Sequence, residues 1–295
     1  MKEIVVLSGK GGTGKTSIVA SFAALTKNAV FVDCDVDAAD LHLLLKPVVK
    51  QSYEFWSGQV AYIDAARCNQ CGLCQELCRF KAIIDFKVDH TACEGCGFCY
   101  RICPCEAITM KENLAGEWFI SDTKYGPMVH ARLGIAQENS GKLVAIVRQK
   151  AKEVAKERGL DFIISDGPPG IGCPVISSVS GANLALLVTE PTLSGIHDLE
   201  RVLGVCRHFG VPALVCINKY DVNLENAQQI ERYCQTEGAD VIAKIPFDNA
   251  FTEAMVRGVP IVEFSNGIVR QQIKILWQNV VDALKHETGE CYANI

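Results

Sequence analysis

Gly9-Lys10-Gly11-Gly12-Thr13-Gly14-Lys15-Thr16 is the stretch whose reading decides the fold. It fits G-x4-G-K-[ST], a pattern that carries meaning only between a strand and a helix. Both neighbours are there. The β-branched run Glu3–Leu7 predicts a strand before it, and Lys15–Leu25 predicts a helix after it. A loop of that kind aims the backbone N–H groups of Gly11, Gly12, Thr13, Gly14 and on to Ser17 at a phosphate, where a helix begins. Lys15 then reaches the β and γ oxygens, and the Thr16 hydroxyl is placed for Mg²⁺. A second apolar run, Ala29–Val32, ends in Asp33-Cys34-Asp35. Strand, loop, helix, strand is how a parallel α/β sheet opens.

The same rhythm returns downstream. Phe162–Ser165, Leu184–Thr189, Ala213–Asn218 and Val241–Ile245 read as strands, and Lys142–Glu157, Ile196–Phe209, Leu224–Gln235 and Ile268–Lys285 as helices. Strands this apolar belong in a sheet covered on both faces. Residues 61–113 break the pattern with cysteines. The expected organisation is one mostly parallel, doubly wound α/β domain from 1–60 and 114–295, with 61–113 inserted in a loop as a small α+β domain.

Composition narrows the function classes. The 295 residues are 49% hydrophobic and 21% charged, which describes a globular chain. A net charge of −5 argues against a general nucleic-acid binder. Apolar runs fall far short of the ~20 residues of a membrane span. The N-terminus lacks signal-peptide anatomy, so a cytoplasmic protein is expected. Fifteen cysteines are then the anomaly, because a reducing compartment disfavours disulfides.

Nine of the fifteen lie between residues 68 and 105. Cys68-x2-Cys71-x2-Cys74-x3-Cys78 recurs 25 residues later as Cys93-x2-Cys96-x2-Cys99-x3-Cys103-Pro104, and each copy is followed by Ala-Ile, at 82–83 and 107–108. In this spacing three thiolates surround one [4Fe–4S] cube and the fourth reaches the other cube. Cys68, Cys71, Cys74 and Cys103 are therefore assigned to one cluster, and Cys93, Cys96, Cys99 and Cys78 to the second. Gly72, Gly95 and Gly97 suit backbone close to inorganic sulfide. Zinc is the alternative, but its sites pair two short C-x2-C hooks. The block resembles bacterial two-cluster ferredoxins over about 50 residues, with Arg79 in place of the usual proline and Cys105 as a ninth thiol expected to pack beside a cluster.

Lys10, a second lysine inside the phosphate loop, gives the α/β part its resemblance to the MinD/ParA class of P-loop ATPases, which includes Mrp-type iron–sulfur carriers and the nitrogenase iron protein. The resemblance implies ATP and Mg²⁺ as ligands. It also implies a dimer, of two copies or with a paralogous ATPase, in which Lys10 contacts the partner's nucleotide. Asp35 matches the aspartate that orients or deprotonates the attacking water, and Asp40 is the next acid of that switch. Asp166, ending an apolar strand, matches the aspartate that holds Mg²⁺ through water, and Gly167–Gly170 the second switch, where a backbone N–H senses the γ-phosphate. Asn218-Lys219 ends another strand; an asparagine amide matches the N6 and N7 edge of adenine. Pro246 and Asp248 match residues that wall the base.

Cys173 lies seven residues after Asp166, the offset at which the nitrogenase iron protein binds a cluster between subunits. A small buried residue is the plainer reading. The Mrp-type C-x2-C near the C-terminus is absent, and Cys206, Cys216, Cys234 and Cys291 are isolated. The stretches 138–144 and 166–174 further resemble MinD-type ATPases that carry an inserted ferredoxin domain. Three functions are open at this point: an ATP-gated electron-transfer enzyme serving a redox or metallocluster client, an iron–sulfur or iron–molybdenum cluster carrier using Cys173, and a redox-sensing positioning ATPase. The last lacks a basic amphipathic C-terminal helix, since 287–292 is short and acidic.

Overall fold

The computed structural model describes residues 1–134 and 140–286. Residues 138–139, Cys291 and the acidic stretch 287–292 lie outside them. Among the described residues eleven strands form: β1 Lys2–Ser8, β2 Ala29–Asp33, β3 Val48–Ile63, β4 Ile83–Ile84, β5 Lys87–Val88, β6 Ile108–Thr123, β7 Gly126–Leu133, β8 Phe162–Pro169, β9 Leu184–Thr189, β10 Ala213–Asn218 and β11 Asp240–Ile245. The described residues divide into two compact units, one of residues 1–52, 119–131 and 141–286, the other of residues 53–118, 132–134 and 140. The division falls outside 61–113 because the long strands β3 and β6 each continue from one unit into the other.

In the first unit the strands are ordered β11-β10-β9-β1-β8-β2-β7, and each neighbouring pair is parallel. The mostly parallel α/β fold expected from the sequence is therefore present. Every residue from Ile4 to Leu7 is fully buried, because helices cover both faces of a central parallel strand. One face carries Phe22, Phe162 and Trp277 in contact, with ring centroids 4.8 Å apart for Phe22–Trp277 and 5.8 Å for Phe162–Trp277. The other packs Leu199, Val202 and Cys206 of the helix Leu193–His208 on Val5, Leu7 and Leu187. Cys206, Cys216 and Cys234 are buried in these two cores, as their apolar settings predict.

Strand order reverses at β1, which has β8 on one side and β9 on the other. The crevice beyond the carboxyl ends of such strands is where open α/β sheets bind ligands. The phosphate loop, Asp166, Glu190 and Asn218 all belong to that end.

The second unit has its own small core of Ala61, Cys74, Ile83 and Ile108. Two helical turns, Leu73–Glu76 and Phe98–Ile102, follow Gly72 and Gly97 at equivalent places in the repeat, and β4 pairs antiparallel with β5.

Candidate functional site

Lys15 is the centre of the loop. It is buried at the start of its helix and donates from Nζ to Ser8 Oγ at 2.9 Å, while Ser8 Oγ donates to the Lys10 carbonyl. Burial lowers its pKa, against the opposing fields of Asp166, Asp35 and Asp33. Gly14 is obligatory here on two counts. Its φ of +92° is left-handed, and a Cβ would stand 2.6 Å from Asn218 Nδ2. Gly11 and Gly12 are exposed, whereas the Thr13 hydroxyl is buried without a partner among the described residues. Ser17 is buried one residue beyond Thr16.

Opposite Lys15 stand the acids. Asp33 and Asp166 are paired across β2 and β8, and both are buried. Desolvation pushes Asp166 up to about 6, offset by Lys15 and a hydrogen bond from Thr16. Its Oδ1 is buried with no partner among the described residues. A desolvated carboxylate with one free oxygen, beside a threonine hydroxyl, fits a divalent cation. Asp33 is also raised by burial, then by Asp166, and its carboxylate accepts the N–H groups of Asp35 and Leu41, each at 3.1 Å. It thereby fixes both ends of the loop carrying Asp35. Asp35 is half-buried and raised by burial, with Lys15 opposing. Asp40 is exposed at the N-cap of the helix Leu41–Leu45, and its charge reaches both Asp35 and Asp166.

Several expected contacts are differently engaged. Lys10 lies along its own chain, with Nζ 3.1 Å from Thr192 Oγ1, 3.3 Å from Ser194 Oγ and 3.5 Å from Glu190 Oε2. Lys219 Nζ takes the other oxygen of Glu190 and also the Gly12 carbonyl. Asn218 is buried, donates from Nδ2 to the Thr13 carbonyl at 2.8 Å and accepts the Lys219 N–H. It braces the phosphate loop from behind. Gly170 donates its N–H to the Ser8 carbonyl at 2.9 Å, so sensing a phosphate with that N–H requires this bond to open. Pro246 is half-buried, and Asp248 accepts the Ala250 N–H at 2.8 Å. Asp221 accepts the Phe247 N–H at 2.7 Å, which ties the loops after β10 and β11 together.

Ser8, Asp33 and Glu190 are the residues that sequence reasoning missed as positioning groups. Ser8 directly precedes the glycine motif, and Glu190 follows a strand end as Asn218 does, so position at a carboxyl end was the available signal.

Cys173 is exposed on the first turn of the helix Cys173–Val179. Gly141 packs on it: a Cβ there would lie 3.2 Å from three Cys173 atoms. Gly141 thus meets the backbone and Cβ of Cys173. His130 has Nε2 2.9 Å from Ser121 Oγ and stacks its ring on Phe119.

In the second unit a cavity of about 390 Å³ is lined by Cys78, Cys93, Cys96 and Cys99 together with Cys74. A second, tighter void is lined by Cys68, Cys71, Cys74 and Cys103 together with Cys105. Each fourth cysteine thus sits with the opposite copy of the repeat. Cys78 Sγ accepts the Ala82 N–H at 3.4 Å and Cys103 Sγ the Ala107 N–H at 3.3 Å, which gives the repeated alanine a purpose. Burial raises the Cys74 and Cys99 thiols, so holding them as thiolates calls for positive charge. Among the described residues no three Cys, His, Asp or Glu side chains converge as on a single ion. Thiols set around a cavity, with amides on their sulfurs, fit a multi-iron cluster. Gly95 is also required by the Gln59 carbonyl, 2.1 Å from where its Cβ would be.

Residues 4–261 match the family described as the CobQ/CobB/MinD/ParA nucleotide binding domain. The uncharacterized protein MJ0578 of Methanocaldococcus jannaschii is 34% identical over 284 residues, covering 94% of this chain and 96% of its own length. An iron-sulfur cluster carrier protein of Pyrococcus horikoshii is 25% identical over 308 residues, covering 98% and 88%. Among solved structures, the septum site-determining protein MinD of Pyrococcus horikoshii, complexed with Mg-ADP, has a TM-score of 0.59 at 18% identity, over 97% of this chain and 98% of that one.

Proposed function

The chain belongs to the CobQ/CobB/MinD/ParA nucleotide-binding family, and from that premise we propose that it is an ATPase coupling a nucleotide-driven dimer switch to electron transfer through two [4Fe–4S] clusters, in redox delivery or metallocluster assembly. One observation carries the reading. The same chain holds a buried lysine facing a desolvated, half-unpartnered carboxylate at a phosphate loop, and eight thiols of a repeat sorted around two voids.

Each residue then has a task. Lys15 leaves Ser8 for the β and γ oxygens, and the N–H groups of 11–17 cradle the phosphates. Mg²⁺ supplies the charge that offsets the phosphate oxygens, with Thr16 and Asp166 as the residues that would hold it. Asp35, held in place by Asp33, orients the attacking water, with Asp40 beside it. Asn218, Pro246 and Asp248 border the adenine, and Lys219 steadies the loop through the Gly12 carbonyl. For Lys10 to cross a dimer interface it must leave Thr192, Ser194 and Glu190. In the second unit, Cys68, Cys71, Cys74 and Cys103 would hold one cluster and Cys78, Cys93, Cys96 and Cys99 the other.

The second reading is a cluster carrier. Exposed Cys173, directly after the loop that follows Asp166, favours it, as does the likeness to the iron-sulfur cluster carrier protein of Pyrococcus horikoshii. Iron and sulfide counted per chain after oxygen-free purification separate the two, with and without MgATP, in wild type and Cys173→Ala. About 8 irons, indifferent to ATP and to the substitution, supports electron transfer. In that case MgATP should also change the rate at which reduced clusters pass electrons to a viologen dye. About 10 irons, falling with ATP or with the substitution, replaces the electron-transfer reading with the carrier.

A further inference from the structure

The repeat uses eight of the nine cysteines between 68 and 105, and Cys105 belongs to neither copy. It is nonetheless placed at one of the two voids. Cys105 Sγ lies 3.7 Å from Cys103 Sγ and lines the same void as Cys68, Cys71 and Cys74. A tight turn puts it there: Glu106, at a left-handed φ of +49°, donates its N–H to the Cys103 carbonyl. The two sulfurs differ in their company. Cys103 Sγ accepts the Ala107 N–H, as a metal-bound thiolate does, whereas Cys105 Sγ donates to the side-chain amide oxygen Oδ1 of Asn69 at 3.7 Å. Two sulfurs on one tetrahedral metal, each about 2.3 Å from it, stand roughly 3.7 Å apart. Cys105 is therefore already at the separation of a second ligand to the metal that Cys103 holds.

We propose that Cys105 is a reserve ligand for the iron corner assigned to Cys103, which lets that cluster survive the loss of Cys103. The inference rests on the two-cluster reading above. The exchange needs no oxidant: the Cys105 thiol releases its proton and binds the iron, while Cys103 gives up its iron bond and takes a proton.

The test uses the full chain, purified without oxygen, as wild type, Cys105→Ala, Cys103→Ala and the double variant. Iron and sulfide are counted, reduced clusters are observed by electron paramagnetic resonance, and free thiols are alkylated and mapped by peptide. Wild type and Cys105→Ala are expected to hold about 8 irons with the same spectrum. Cys103→Ala keeps about 8 with one cluster's spectrum altered, and the double variant loses one to four. Cys105 is alkylated in the wild type and protected in Cys103→Ala. Equal iron loss in Cys103→Ala and the double variant, or equal alkylation of Cys105 in wild type and Cys103→Ala, overturns the reserve role alone. Loss of a cluster in Cys105→Ala does so too, by making Cys105 a primary ligand. A wild-type count near 4 or below overturns the two-cluster reading and the reserve role with it.

Discussion

Asp35 and Asp166 separate two kinds of acid at one site. Asp35 is half-buried and keeps access to solvent, as a residue that handles water must. Asp35→Asn is expected to bind MgATP with wild-type affinity and dimerise, while turnover falls at least a hundredfold; nucleotide-binding and single-turnover assays check this. Asp166 is a stability question as well. Its folded carboxyl titrates at about 6, and the unfolded one near ~4. Between those values the folded chain holds a proton the unfolded chain has lost, so stability falls as pH rises through that window, and the cost is full above it. Asp166→Asn should therefore stabilise the chain at pH 7.5 without Mg²⁺ or nucleotide by about 1–3 kcal/mol, seen as a higher Tm, and the gain should shrink towards pH 4. Melting curves at the two pH values decide it. The same variant should lose ATP turnover.

The phosphate loop, as an element, is held from behind by Asn218 and Lys219 and from within by Ser8. The Asn218 and Lys219 contacts come from more than 200 residues along the chain, whereas Ser8 directly precedes the loop. Gly14→Ala forces a side chain into a left-handed residue and against Asn218 Nδ2, so it should cost roughly 1–3 kcal/mol and abolish nucleotide binding; calorimetric titration with ATP reads the loss. The elements themselves were legible in proportion to their burial. β9 and β10 end where the apolar runs at 184–189 and 213–218 end, because a strand buried on both faces is apolar throughout. β3 is exposed along Val48–Glu54, so no apolar run marks it, and it passed unread. The short helices Leu41–Leu45 and Cys173–Val179 also went unread. Helices this short depend on tertiary partners, here Asp33 on the Leu41 N–H and Gly141 against Cys173.

At the scale of the whole molecule, two compact units with separate cores predict separable losses. Lys15→Ala and Lys10→Ala should each abolish ATP turnover and leave iron and sulfide at the wild-type count. Loss of iron in either variant would contradict two independently packed units. Among the described residues no helix is long and apolar enough to cross a membrane.

By itself the sequence determined the parallel α/β architecture, the phosphate loop with Lys15, Thr16 and Asp166, and the doubled cysteine repeat. Each is written in contiguous residues at fixed spacing, which is the form in which backbone geometry and ligand chemistry constrain a chain. Only the tertiary structure decided which groups those residues touch. Glu190 between Lys10 and Lys219, Asp33 holding the Asp35 loop, Asn218 on Thr13 and Cys105 beside Cys103 are pairings made by strand order and tight turns. The Glu190 and Asn218 pairings join residues far apart in the chain, and no periodicity records such a meeting.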